Sequence, residues 1–198
     1  MVNLTAIRDH VVYMLNACLS QVLTYHNISH TLDVAKHCLV IAKEEGLTDE
    51  QLLLELHIAA LYHDTGFMFI YHDHEERGCE IAKEQLPGFG LKEKSIENIC
   101  ELIMATKVPQ APNNDLQKII CDADLDYLGR EDFFETGDKL RLELIAFNLI
   151  SGEHDWEERQ LNFLREHRYF TKTSRQTREP VKMQFIKQLV KKKNRETK

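Results

Sequence analysis

The chain has 198 residues, 43% of them apolar, and a formal charge of −7. That length supports one well-buried core and is short for two full domains, so a single domain over 1–198 is expected. Gly and Pro are scarce, at eight and four, and no run of alternating β-branched residues reads as a strand, which argues against a sheet-based architecture and predicts an all-α fold.

Helical periodicity predicts helices over 3–24, 30–45, 48–64, 74–86, 91–107, 114–127, 131–150, 154–167 and 178–192. In the first, the apolar stretch Val11 to Leu23 is broken by Asn16, Ser20 and Gln21 and is too short to cross a bilayer; no cleavable signal is expected ahead of it. The second has Asn27, Ser29 and Thr31 as possible N-caps ahead of Leu32, Ala35, Leu39, Val40 and Ala42. The third reads LLLELHIAAL over 52–61 and is expected to be buried, so Asp64 at its end needs a partner or a cation to offset desolvation. Gly66 is expected as its left-handed stop, which would aim His63 and Asp64 out of the last turn into a cleft.

The fourth helix opens on HDHEER, where Asp73 and Glu76 have the spacing of a capping box. In the sixth, Leu116, Ile119, Ile120, Ala123 and Tyr127 form one apolar face with Asp124 at its edge. Asp122 and Asp126 read as capping or solvated residues, with Gly129 as terminator. A calcium loop starting at Asp122 fails on chemistry, because Tyr127 would replace its turn glycine and Phe133 its bidentate glutamate.

From Lys172 onward ten Lys or Arg face two Glu, about +8, which leaves about −15 on the rest of the chain. Val181, Met183, Phe185, Ile186, Leu189 and Val190 favour docking of this basic tail on the acidic body over nucleic-acid binding. Trp156, Phe163, Leu164, Tyr169 and Phe170 likewise read as packing residues rather than stacking platforms. Cys18, Cys38, Cys79, Cys100 and Cys121 are odd in number and lack any CxxC, as expected of reduced core residues in a cytoplasmic protein.

His30, His63, Asp64 and Asp124 together offer two imidazoles and two carboxylates. Such a mixed nitrogen and oxygen set suits a divalent cation with open positions, whereas a closed structural zinc site draws on thiolates. His30 in YHNISHTLDVA, His63-Asp64 in AALYHDTGF, HEERGCEIA from His74 to Ala82 and Asp124 in CDADLDYLG stand in an order that resembles the HD superfamily of metal-dependent phosphohydrolases, over roughly Val22 to Arg130.

The resemblance implies a compact multi-helix bundle with a metal site between helices, an HD core over about 22–130 and a C-terminal helical extension over about 151–198. It implies His30, His63, Asp64 and Asp124 as ligands of one divalent ion (Mg, Mn, Fe, Co, Ni or Zn). Asp64 would also align the attacking water, and His74 would act as proton donor or phosphate contact. From the residues alone His26, four positions before His30, could equally be chosen as ligand; the resemblance favours His30 and leaves His26 a role in supporting the ligands. Branches with two metals carry a further His where this chain has Thr106 and Lys107, so one metal is expected. Arg77 and Lys107 are phosphate-binding candidates against the alternative of solvated surface charge. Phe67 stands where guanosine tetraphosphate and deoxynucleoside monophosphate hydrolases carry an acid, and the Gly-Tyr-Pro signature of the cyclic-di-nucleotide branch is missing.

The implied function is hydrolysis of a phosphate ester or anhydride of a nucleotide or other small phosphorylated metabolite by metal-activated water. No nucleic-acid or membrane partner is expected, and a homo-oligomer is possible. The alternative is a catalytically degenerate HD protein that binds metal and nucleotide as a sensor or scaffold.

Overall fold

The computed structural model describes residues 2–196, and among the described residues ten α-helices follow one another without a strand. They are α1 (Leu4–Cys18), α2 (Ile28–Glu44), α3 (Glu50–Tyr62), α4 (His74–Gln85), α5 (Glu93–Ala105), α6 (Asp115–Asp124), α7 (Phe133–Ala146), α8 (Glu153–Glu166), α9 (Lys172–Thr177) and α10 (Glu179–Glu196). Short 3-10 turns at Thr65–Met68, Leu86–Phe89 and Asp126–Gly129 follow α3, α4 and α6. The all-α expectation is met, and none of the described helices is long and apolar enough to cross a membrane.

α3 is the hub. Its N-terminus is capped by Asp49, whose Oδ1 accepts the N–H groups of Gln51 (2.9 Å) and Leu52 (3.0 Å). Leu56, Ile58, Ala59, Ala60, Leu61 and Tyr62 are all fully buried, as an apolar helix requires when neighbours cover every side. α3 packs against α1, α2 and α5, and α2 packs in turn against α6. The one acid inside this layer, Glu55, is satisfied by Gln51 Nε2 (2.8 Å) and Asn98 Nδ2 (3.0 Å).

A second apolar cluster forms from Leu125, Tyr127, Leu128, Phe133, Leu164 and Phe185, together with Tyr25 and Tyr169. It ties the turn after α6 to α7, α8 and α10. α10 docks here through Phe185, Val181, Ile186 and Leu189, and Lys192 pairs with Glu157 at 2.5 Å. Met183 is exposed.

Several elements depart from expectation. α1 stops at Cys18 instead of running to 24, where Leu19 turns extended, and the loop that follows sends the backbone N–H groups of Tyr25 and His26 to a carboxylate on α7. α9 was not predicted; Thr171 caps it by accepting Ser174 N–H at 3.1 Å. Gly66 and Gly129 are not left-handed stops, since neither has positive φ. Each is required by close approach instead: a Cβ on Gly66 would sit 2.0 Å from the His74 carbonyl oxygen, and one on Gly129 would sit 2.5 Å from that of Arg178. The Asp73–Glu76 capping box does not form; Asp73 has a φ of 57° and no side-chain cap bond, and both acids bind Lys107. Four cysteines are buried as expected, but Cys18 is exposed; all five are free.

Candidate metal centre

The ends of α2, α3 and α6 converge on one point. His30 lies in the first turn of α2, held by Asn27, whose Oδ1 accepts Ser29 N–H (2.9 Å) and His30 N–H (3.2 Å). His63 ends α3 and donates Nδ1–H to the Ala60 carbonyl at 2.8 Å. A carbonyl can only accept, so in the neutral ring this bond puts the proton on Nδ1 and leaves the Nε2 lone pair available to a cation. Asp64 follows in the turn, and Asp124 is the last residue of α6.

The four side chains meet. His30 Nε2 lies 3.4 Å from Asp64 Oδ2 and 3.3 Å from Asp124 Oδ1, and His63 Nε2 lies 3.2 and 3.5 Å from the same two oxygens. Two donors on one cation at about 2.1 Å stand about 3.0 Å apart at octahedral angles and about 3.4 Å apart at tetrahedral ones, so these separations fit a shared ion. His30 Nε2, His63 Nε2 and Asp64 Oδ2 are buried without a hydrogen-bond partner, an arrangement that is costly unless a cation completes it. His30, His63 and Asp124 present ligand atoms all within 4.8 Å of one another. The second oxygen of Asp64 faces elsewhere, 3.6 Å from His74 Nε2.

The charges are strongly interdependent. Burial pushes the His63 pKa down, but Asp64 and Asp124 outweigh it and hold the imidazole well above its usual 6.5. For Asp64, burial acts upward and is overcome by His63, His26 and His30, which hold the carboxyl far below the ordinary range. Asp124 is likewise held down, at about 2.

His74 opens α4, and its Nδ1 is 3.2 Å from the Tyr71 carbonyl. Its ring stacks on Phe67 (3.9 Å between centroids), and Phe67 stacks in turn on His26 (4.2 Å). Lys107 reaches the mouth of the site but is gripped by Asp73 (2.8 Å) and Glu76 (2.5 Å). Arg77 bonds Glu80 at 2.7 Å and lies over the Phe69 ring. Asp122 and Asp126, expected to be capping or solvated, are both buried. Asp122 accepts the N–H groups of Phe170 and Thr171 (2.8 Å each) and the Thr171 hydroxyl (2.6 Å), and Asp126 binds Arg178 at 2.7 Å.

Three residues that sequence reasoning missed complete the setting. Glu143, on α7, anchors His26; Gln110 donates to Asp124 Oδ2 at 3.4 Å; and Tyr25 packs its ring 4.6 Å from that of His30. No local pattern marks any of them, because each reaches the site through the fold. A cavity of about 970 Å³, an open groove lined by α4, α5 and the segment that leads to α6, holds none of the clustered ligands. A second, of about 450 Å³, opens directly onto Asp64, His74 and Asp124. α7, α8 and the segment between them also line it.

A helical bundle with imidazoles and carboxylates gathered where helix ends meet is the frame of a metal-site helical protein. The HD domain family model matches residues 27–128, just over half of the chain, and the chain belongs to that family. Over 96% of its length it is similar to the crystal structure of a predicted HD superfamily hydrolase from an uncultured Thermotogales bacterium, at 23% identity, 92% coverage of that chain and a TM-score of 0.58. Over 96% it is also similar to the crystal structure of Bacillus subtilis YpgQ, at 17% identity, 96% coverage of that chain and a TM-score of 0.62. At these identities the likeness is one of fold. No curated protein sequence matches the chain.

Proposed function

We propose that this HD-domain protein is a metal-dependent phosphohydrolase acting on a small phosphorylated compound. The observation that carries the reading is the set of three buried, unpartnered atoms on His30, His63 and Asp64 beside Asp124 Oδ1. His30, His63, Asp64 and Asp124 would hold one divalent cation. Such a cation, when bound, supplies Lewis acidity toward a phosphoryl oxygen and lowers the pKa of water.

The chain's own residues supply the rest. Asp64 Oδ1 is turned away from the paired imidazoles and would orient a water for in-line attack. His74 Nε2, 3.6 Å from that oxygen, would move a proton to the departing oxygen. Phe67 and Tyr71 wall the site and exclude bulk solvent from the reacting phosphate. Lys107 would help to place the phosphate if it exchanged one of its two carboxylates for it, and Arg77 serves only if it leaves Glu80.

The test is metal analysis of purified protein together with a hydrolysis screen over nucleotides, cyclic nucleotides and aryl phosphates, with and without chelator. Chelator-sensitive release of phosphate or nucleoside monophosphate is expected. Stoichiometric metal with no turnover on any phosphate compound would identify a sensor or scaffold instead.

A further inference from the structure

The cavity beside the ligand cluster is chemically mixed. Asp64, His74 and Asp124 line it, and so do Leu140, Leu144, Leu149, Trp156, Phe163 and Leu164 from α7, α8 and the segment between them. Leu144, Trp156 and Leu164 are buried, whereas Leu140 and Leu149 are only partly covered and face the open volume. Contact between water and these apolar side chains is unfavourable, and an apolar group placed against them removes it.

Cations are few. Among the described lining residues, Lys107 is already neutralised by Asp73 and Glu76, and Arg159 lies exposed with its guanidinium donating to the Leu149 carbonyl at 3.2 Å. Carboxylates of Asp64, Asp73, Glu75 and Asp124 line the same space. Away from the metal ligands, Asp73 and Glu75 balance Lys107 and Arg159, so a compound recognised through many negative charges would find no surplus of positive charge there. A compound recognised by burial needs none.

We propose that this chamber is the subsite for an apolar group carried by the phosphate, so that the preferred substrates are alkyl or aryl phosphate esters. The inference rests on the phosphohydrolase reading for the position of the phosphate, but its recognition element is the wall formed by α7 and α8. The phosphate would sit at the ligand cluster while the alkyl or aryl group lies against Leu140, Leu149 and the Trp156 ring. No new bond chemistry is involved.

The test uses n-alkylphosphonates from methyl to octyl, which cannot be hydrolysed, titrated calorimetrically into protein loaded with Mn²⁺. Affinity is expected to rise about four-fold for each added methylene until the chamber is filled. The heat capacity of binding should become more negative along the series. Leu149→Gln should flatten the rise and Leu149→Met should retain it, with melting curves recorded for both; the parent series decides the matter even if Leu149→Gln fails to fold. A flat series, or no binding at any length, overturns the proposal. Initial rates on the matching n-alkyl phosphates separate the two readings. Affinity that rises without any turnover sinks the hydrolase and leaves the chamber, whereas turnover with flat affinity sinks the chamber and leaves the hydrolase.

Discussion

Glu143 on α7 holds His26 across 117 residues of sequence. One carboxylate oxygen accepts the backbone N–H groups of Tyr25 (2.9 Å) and His26 (3.0 Å), and the other accepts the His26 ring proton and the Tyr71 hydroxyl (3.1 Å). Glu143 is fully buried. The carboxylate therefore sets the path of the loop that leads into α2 and the ring that stacks on Phe67.

Glu143→Gln replaces one acceptor oxygen by a donor and leaves buried N–H groups short of a partner. A loss of about 2–3 kcal/mol in unfolding free energy is expected by denaturant titration. Burial pulls the His26 pKa down, but the Glu143 hydrogen bond and nearby carboxylates raise it above 6.5. For a raised imidazole the stabilising contribution is full below the unfolded value and fades as pH rises through the folded one. Metal-free parent protein should lose stability on that rise, and Glu143→Gln should show a flatter profile. An unchanged profile would mean that the carboxylate is not the cause.

Metal affinity should depend steeply on pH. With His63 held well above 6.5 by Asp64 and Asp124, a cation must displace a proton near neutrality. Apparent affinity is expected to fall about ten-fold per pH unit on acidification for each proton displaced. Calorimetry in buffers of differing ionisation enthalpy counts those protons, and a count of zero between pH 6 and 8 would contradict the assignment.

Asp64→Ala should abolish hydrolysis and weaken metal binding by about a hundred-fold, with one ion per chain in the parent. After chelation, near neutral pH, the mutant should melt below the parent, because His63, His26 and His30 hold the Asp64 carboxyl far below its ordinary range and that stabilisation goes with the carboxylate. Two tight ions per parent chain would refute the single-site reading. Asp115, exposed and paired with Lys118, is the control position on the same helix as Asp124, and its alanine variant should leave metal content and turnover within a few-fold of the parent.

Gly66→Ala should act on catalysis through the backbone. The added methyl meets the His74 carbonyl, so α4 must shift at its first residue, at a cost of about 3 kcal/mol. Metal content should survive better than turnover, because His30, His63 and Asp124 do not move with α4. A fully active, fully stable variant would show that the turn has slack.

Much of the bundle was legible because each helix carries its own apolar periodicity, whereas the choice of His30, His63, Asp64 and Asp124 came from the resemblance in their order along the chain, since local pattern alone offers His26 as readily as His30. What escaped was whatever depends on distant partners. Asp122 and Asp126 look like surface acids until Thr171 and Arg178 arrive from the far end of the chain. Glu143 sits in an ordinary helical run and gains its meaning only from the loop it captures. The glycines were misread for the same reason, since the carbonyls that forbid a side chain at Gly66 and Gly129 belong to His74 and Arg178.

Trp156 is the only tryptophan in the chain, and it lines the same cavity as Asp64 and Asp124. The protein thus carries a single indole, which can be excited apart from its six tyrosines and sits where a ligand in the chamber would touch it. Emission excited at the indole band reports that single environment without labelling or background from a second indole. Occupancy of the chamber, exchange of metal beside it and opening of the α7–α8 wall can each be followed in real time by stopped flow on unmodified protein.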